Sequence, residues 1–297
     1  MGTLYVVGTP IGNLGDVTFR ALETLRAVSL IVAEDTRRAG VLLQRFDIDK
    51  PTLSLFEHNE AARVERVLRA LDAGDVALIS EAGMPGLSDP GYDLIRDALE
   101  RGVTVTPIPG PTAAIAALIV SGLPTDAFVF LGFLPRRPAD RRRLLRDVAR
   151  ERRTLVAYEA PHRLAEALAD IQETLGDRAM AVARELTKRH EEIWRGAVSG
   201  ARTHFTGEVL GEVTLVIAGA AEAQRWDEPD VHAAVAQALR EGASVADAAR
   251  DVAAASGWSR RQVYPFALRL SQPTHSHSHS NSNSHSNSPG RADDDRS

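Results

Sequence analysis

The chain has no cysteine in its 297 residues. Disulfides and thiolate metal sites are therefore excluded, and a reducing compartment fits. Lysine is almost missing too: only Lys50 and Lys188 occur, and arginine carries the other basic charge. That bias is compositional and points to no function by itself. No apolar run approaches the ~18 residues a spanning helix needs, and no charged-then-apolar leader opens the sequence, so neither a membrane span nor secretion is expected. Net charge is only −5, too little of either sign to draw the whole molecule to nucleic acid. Such binding needs a local patch. What is present, 44% hydrophobic and 25% charged residues, describes a globular protein with room for two ordinary domains.

Strand and helix signals alternate over the first 110 residues. Apolar runs at TLYVV, SLIVA, TLSL, VALIS and VTVTPI are each followed by a turn and a helical pattern, with helices expected at 18–27, 36–45, 60–73, 91–101 and 112–120. This rhythm favours a parallel sheet wound with helices, whose loops after each strand share one edge. SGLPTD (121–126) reads as a hinge. Beyond it come strands near 127–132, 154–158, 179–184, 190–195 and 213–218 and helices near 138–150, 161–174 and 197–206, a second α/β domain with a mixed sheet. Residues 226–270 are helical in pattern. Residues 271–297 are low-complexity Ser, His and Asn, expected to be a disordered, solvated tail.

The stretch YVVGTPIGNLGD (5–16) ends a strand in Gly8, Gly12 and Gly15. Its spacing is not the G-x-G-x-x-G of a dinucleotide site, and no Gly-Lys-Ser/Thr makes it a P-loop. Pro10 removes a backbone donor where a phosphate cradle needs one. A permissive turn at the carboxyl end of a strand is left, where open α/β sheets bind ligands. A plain tight turn is the competing reading. AEDTRR sets Glu34 and Asp35 at the next strand end. Asp35 or Thr36 can cap the following helix, but a cap explains neither Glu34 nor Arg37, and a carboxylate pair suits acid–base work. FEHNE offers Glu57, His58 and Asn59, the last a further capping residue. In SEAGMPGLSDPG, Asp89 and Pro90 suit N-cap and N1 of a helix, while Ala82, Gly83 and Gly86 would let a ligand lie on bare backbone. PIPGPTAA repeats the small-residue theme. Residues 136–153 hold nine arginines against Asp140, Asp147 and Glu151, a charge of +6. They form either a phosphate-gripping patch or the solvated face of a helix buried through Leu144, Leu145 and Val148.

These motifs, with FVFLGFLPR and YEAPHR after them, resemble in their order the tetrapyrrole-methylase superfamily over residues 3–270. Corrin-methylating relatives usually carry G-x-G-P-G-D in the first loop and G-D-P in the fourth. GTPIGN and SDPG here favour the RNA-modifying branch. Ala160 stands where serine is expected. The resemblance implies an α/β, two-domain tetrapyrrole-methylase-like fold (1–121 and 122–222) with a cofactor cleft between the domains, a small helical domain (226–270) and the tail. It implies a cytoplasmic homodimer that binds S-adenosylmethionine. The methyl would pass to the ribose 2′-hydroxyl of a cytidine in the decoding centre of 16S rRNA, with no metal required. Carried over by position, cofactor contacts are Pro10, Glu81, Ala82, Gly83, Asp89, Pro90, Thr112, Ala113, Ala114, Leu131, Gly132, Phe133, Tyr158 and Glu159. Proton-acceptor candidates are Glu34, Asp35, His58 and Glu81. RNA contacts are expected from Arg37, Arg136, Arg137, Arg141, Arg142 and Arg143. Two other readings stand beside this one: methylation of a small tetrapyrrole precursor, and a non-enzymatic nucleic-acid binder built on the C-terminal helices.

Overall fold

A computed structural model describes residues 1–55, 60–221 and 226–271, with backbone alone at 60–62. His58, its FEHNE neighbours Glu57 and Asn59, and residues 272–297 of the tail lie outside the described residues. The chain forms two compact units, Met1–Ala220 and Ala221–Ser297.

The first unit begins with β1 (Thr3–Val7), α1 (Phe19–Ala27), β2 (Leu30–Ala33), α2 (Thr36–Arg45) and β3 (Thr52–Ser54). It continues through α3 (Glu60–Ala73), β4 (Val76–Ile79), α4 (Tyr92–Glu100), β5 (Thr104–Ile108) and α5 (Ala113–Val120). The five strands form one sheet, ordered β3-β2-β4-β1-β5 and parallel throughout. Period-two alternation divides its side chains. Ile31, Ala33, Ala77 and Ile79 pack under α1 and α2, whereas Leu4, Val32, Val76 and Leu78 pack under α3 and α4. With both faces covered, β4 is buried along its whole length. Thr18 and Asp35 cap α1 and α2, each accepting a backbone N–H from the first turn.

One expected helix start is corrected. Asp89 and Pro90 do not begin α4; Gly91 is the N-cap, at φ 122°. A Cβ there would sit 2.8 Å from Leu78 Cδ2, so the chain passes too close to β4 for any other residue. Asp89 is thereby left in the loop.

The second sheet comes from β6 (Phe128–Phe133), α6 (Pro138–Asp147), β7 (Thr154–Glu159), α7 (Leu164–Leu175), β8 (Ala179–Arg184), β9 (Glu192–Ala197), α8 (Val198–His204) and β10 (Val213–Ile217). Its order is β6-β7-β10-β8-β9. Only β6 and β7 are parallel; β10 lies antiparallel between β7 and β8, and β9 is antiparallel to β8. One face packs Leu155, Val182 and Leu215 under α6, α7 and α8. The other packs Val156, Ala181 and Val216 against Ala114, Ala117 and Leu118 of α5. The apolar helix α5, which follows β5 of the first sheet, thus packs its Ala114, Ala117 and Leu118 face on the second. Tyr158 adds a polar tie, its hydroxyl accepting the Ala114 N–H at 3.2 Å.

The second unit consists of α9 (Glu228–Arg240), α10 (Val245–Ser256) and α11 (Arg260–Leu270) around Val231, Val235, Ala249, Val252, Val263 and Ala267. Gly257, in the left-handed region at φ 69°, ends α10.

Candidate active site

Gly8 and Gly12 of the opening loop are there for close approach. None of Gly8, Gly12 and Gly15 has positive φ. A Cβ on Gly8 would lie 2.7 Å from Gly110 backbone, and one on Gly12 would lie 2.4 Å from Lys188 Cγ. This loop therefore packs against β5's exit on one side and against the second sheet's β8–β9 connection on the other. The loop after β4 joins it, Thr9 and Gly83 exchanging backbone hydrogen bonds of 2.9 and 3.1 Å. Because β4 and β1 are neighbours, these loops meet at the carboxyl edge of the sheet, the expected ligand position.

A cavity of about 450 Å³ opens there, between the two sheets. Its first wall is Ile11, Glu34 and residues 81–84 and 87–89, with Thr112 and Ala113 from the start of α5; its second is Phe133, residues 158–161 and residues 211–214. The volume suits a ligand the size of a nucleoside derivative. Five lining residues are carboxylic: Glu34, Glu81, Asp89, Glu159 and Glu212, and none is Lys, Arg or His. Phosphate is disfavoured in such a cavity, whereas a cation is welcome.

Three of the five acids are offset by cations. Arg38 meets Glu81 at 2.6 Å, Arg163 meets Glu159 at 2.5 Å and Lys188 meets Glu212 at 3.1 Å. Glu34 and Asp89 have no ion pair among the described residues. Burial, then repulsion from Glu34, pushes Asp89 up to about 7. Burial, then Glu81, raises Glu34, against a backbone hydrogen bond from Glu81. Glu159 is fully buried; its Oε1 accepts the Ala160 N–H at 2.7 Å, while Oε2 has no hydrogen-bond partner among the described residues. Burial raises its carboxyl, while the Ala160 N–H and then Arg163 and Arg141 work against that rise. Phe133 packs on Tyr158, ring centroids 5.4 Å apart, as an aromatic flank.

The site residues expected from sequence separate here. Glu81, Ala82, Gly83, Asp89, Thr112, Ala113, Phe133, Tyr158 and Glu159 line the cavity, and so does Glu34. Pro10, Pro90, Ala114, Leu131 and Gly132 stand outside its lining; Leu131 packs into the core under α6 to α8. Asp35 is corrected as a proton acceptor. It caps α2 and pairs with Arg37 at 2.8 Å, and those hydrogen bonds hold its carboxyl down at about 2. Arg141 is corrected as an RNA contact. Only 1% exposed, it pairs with Asp170 at 2.6 Å. Arg142 shares Asp170 at 3.1 Å and Arg143 pairs with Asp140 at 2.9 Å, while Arg136 and Arg137 are exposed just beyond Phe133. Sequence reasoning missed the wall at 211–214. Its one signal, Gly211-Glu212 before an apolar strand, looks like any strand entry.

The family model described as Tetrapyrrole (Corrin/Porphyrin) Methylases matches residues 3–201, and the RsmI C-terminal HTH domain matches residues 227–271. Ribosomal RNA small subunit methyltransferase I of Synechocystis sp. is 48% identical over 275 residues, covering 91% of this chain and 99% of that one. The chain belongs to the ribosomal RNA small subunit methyltransferase I family. The family member from Thermotoga maritima is 51% identical over 221 residues, which cover 74% of this chain and 99% of its own length. Among solved structures, uroporphyrin-III C-methyltransferase from Thermus thermophilus, complexed with S-adenosylhomocysteine, shares the fold. Its TM-score is 0.52 at 18% identity, covering 72% of this chain and 97% of that one. As a ribosomal RNA small subunit methyltransferase I family member, the chain is a methyltransferase with the two-sheet fold of the tetrapyrrole methylases.

Proposed function

We propose that the chain transfers a methyl group from S-adenosylmethionine to the ribose 2′-hydroxyl of a cytidine in 16S rRNA, in the decoding centre. The observation that carries the cofactor is the cavity's acidic lining: five carboxylic residues, three of them paired with cations behind the wall, and no basic residue in the lining itself. S-adenosylmethionine brings a sulfonium and an ammonium, so acidic walls attract it, and the small residues Ala82, Gly83 and Ala113 leave room for its length. The relatives' name supports small-subunit rRNA as the substrate.

When bound, the cofactor supplies a methyl already activated on positive sulfur. The chain's own task is alignment and proton removal. An attacking ribose hydroxyl would have to give up its proton to a group of the chain. Asp89 lines the cavity and is raised to about 7 by burial and then by Glu34, which supports it as the proton acceptor. No lysine or arginine in the lining competes for that role. We further infer a homodimer in the cytoplasm. Ile115 and Ile119, one turn apart on α5, are exposed at 44% and 67% and supply an apolar strip for a second copy. No helix among the described residues is long and apolar enough to cross a membrane.

The test is methyl transfer from labelled S-adenosylmethionine to small subunits from a strain lacking this gene, with the modified nucleotide mapped. A 2′-O-methylcytidine in the decoding centre is expected. Label on a base, or on a tetrapyrrole precursor instead of RNA, overturns the proposal.

A further inference from the structure

The arginine-rich α6 is largely occupied with its own ion pairs, so phosphates near the cleft need another partner. The connection between β8 and β9, residues 185–191, has the features of one. Two of its residues, Glu185 at φ 53° and Thr187 at φ 66°, lie in the left-handed region although neither is glycine. Such backbone persists only where its surroundings enforce it, and it gathers at functional sites. Here the enforcement is explicit. The Glu185 N–H donates to Glu212 O at 2.9 Å, and the Lys188 N–H donates to Glu185 O at 3.0 Å. Thr187 N–H donates to the Glu191 carboxylate at 2.6 Å, and Thr187 Oγ1 accepts the Asn13 N–H of the opening loop at 3.1 Å.

Lys188 is the anchor. Its ammonium lies 2.7 Å from Glu185 and 3.1 Å from Glu212, a cavity-lining residue. The connection is thereby fixed to the cavity wall on one side and to the Gly12–Asn13 backbone on the other. Lys188 spends its charge on this anchoring. The two residues after it do not. The Glu191 N–H closes a turn on Lys188 O at 3.2 Å, which puts Arg189 and His190 at the tip. Both are exposed, and neither has an ion pair among the described residues.

We propose that this braced turn is a phosphate clamp for the rRNA strand, with Arg189 contacting the backbone beside the reacting ribose and His190 flanking it. The inference rests on the functional reading above for its choice of polyanion. A cation held on a pre-ordered turn at the rim loses little freedom when it binds. An acidic cavity also needs a cationic rim to hold a polyanionic substrate against it. Phosphate contacts of this kind fix the strand's position without reading its sequence.

The experiment compares wild type, Arg189→Glu and Arg189→Lys, each checked for an unchanged melting temperature. Small subunits lacking the modification serve as the probe. Arg189→Glu should weaken subunit binding at least tenfold and raise KM for subunits to match. Dissociation of S-adenosylmethionine and kcat at saturating subunit should stay within twofold. The slope of log binding constant against log salt should shrink by roughly one phosphate's share. Arg189→Lys, which keeps the charge, should retain most of the binding. If Arg189→Glu binds subunits like wild type, the clamp is wrong. The functional reading fails separately: a wild type that binds subunits without methylating them sinks the reaction, while the clamp is still judged by the Arg189→Glu binding.

Discussion

Asp89 is the residue on which the proposed chemistry turns, and its ionisation sets a pH dependence with a definite sign. Its carboxyl is raised from 3.8 to about 7, so below neutrality it holds its proton and cannot take another. Methyl transfer should therefore rise with pH through about 7 and level off above. Asp89→Asn should remove that acid limb and slow transfer by roughly a hundredfold or more. Linkage gives a second readout. A carboxyl raised on folding contributes stability that is complete below its unfolded value near 3.8 and is lost as pH climbs through 7. Asp89→Asn should accordingly melt higher than wild type at pH 8 and about level with it at pH 4. A variant with full activity and an unchanged pH profile would remove Asp89 from the proton path. The sequence showed this residue but hid its role. Asp-Pro reads as a helix start, and only the packing of Gly91 against Leu78, thirteen residues away, shows that the helix begins later and Asp89 stays free.

At the scale of an element, α6 shows both the reach and the limit of sequence pattern. The nine arginines of residues 136–153, four of them on α6, look uniformly solvated, yet Arg141 shares the helical face of Leu145 four residues on, and Leu145 is fully buried. That period was legible. The partner was not, because Asp170 comes from α7 and nothing local announces it. The two arginine types should behave differently. Arg141→Ala leaves the nearly buried Asp170 without its closest cation and should cost about 3–5 kcal/mol in chemical denaturation. Arg143→Ala, an exposed residue paired with Asp140 one turn back, should cost within about 0.5 kcal/mol. Equal losses would mean that Arg141 is not the buried ion it appears in the fold. A triple replacement of Arg141, Arg142 and Arg143 would confound unfolding with RNA binding; Arg136 and Arg137, exposed beyond Phe133, are the cleaner pair for that question. Elements whose signals are local came through best. The five parallel strands and α2 with its Asp35 cap lie within a residue or two of their expected bounds. The wall at 211–214 depends on β10 inserting between β7 and β8, a pairing fixed by burial across the whole sheet.

For the whole molecule, the question is which unit carries which part of the activity. Every cavity-lining residue lies at or before Thr214, and the first unit ends at Ala220 with its own cores on the faces of both sheets. The second unit closes a separate core among α9, α10 and α11. In the Thermotoga maritima relative, 221 aligned residues account for 99% of the chain, so a protein of about the first unit's length bears the same family name. A chain ended after Ala220 should therefore fold, and its dissociation constant for S-adenosylmethionine should stay within twofold of the full chain's. It should also lose one unfolding transition if the two units melt independently. Subunit methylation is the informative readout beside these. Arg260 and Arg261 open α11 and Arg269 lies near its end, with no acidic residue in that helix, which gives the second unit one cationic helix to offer phosphates. The truncated chain should thus keep kcat at saturating subunit and show only a raised KM. Loss of cofactor binding in a folded 1–220 chain would mean that the cavity is not complete within the first unit, and the assignment of the reaction to the two-sheet unit would have to be abandoned.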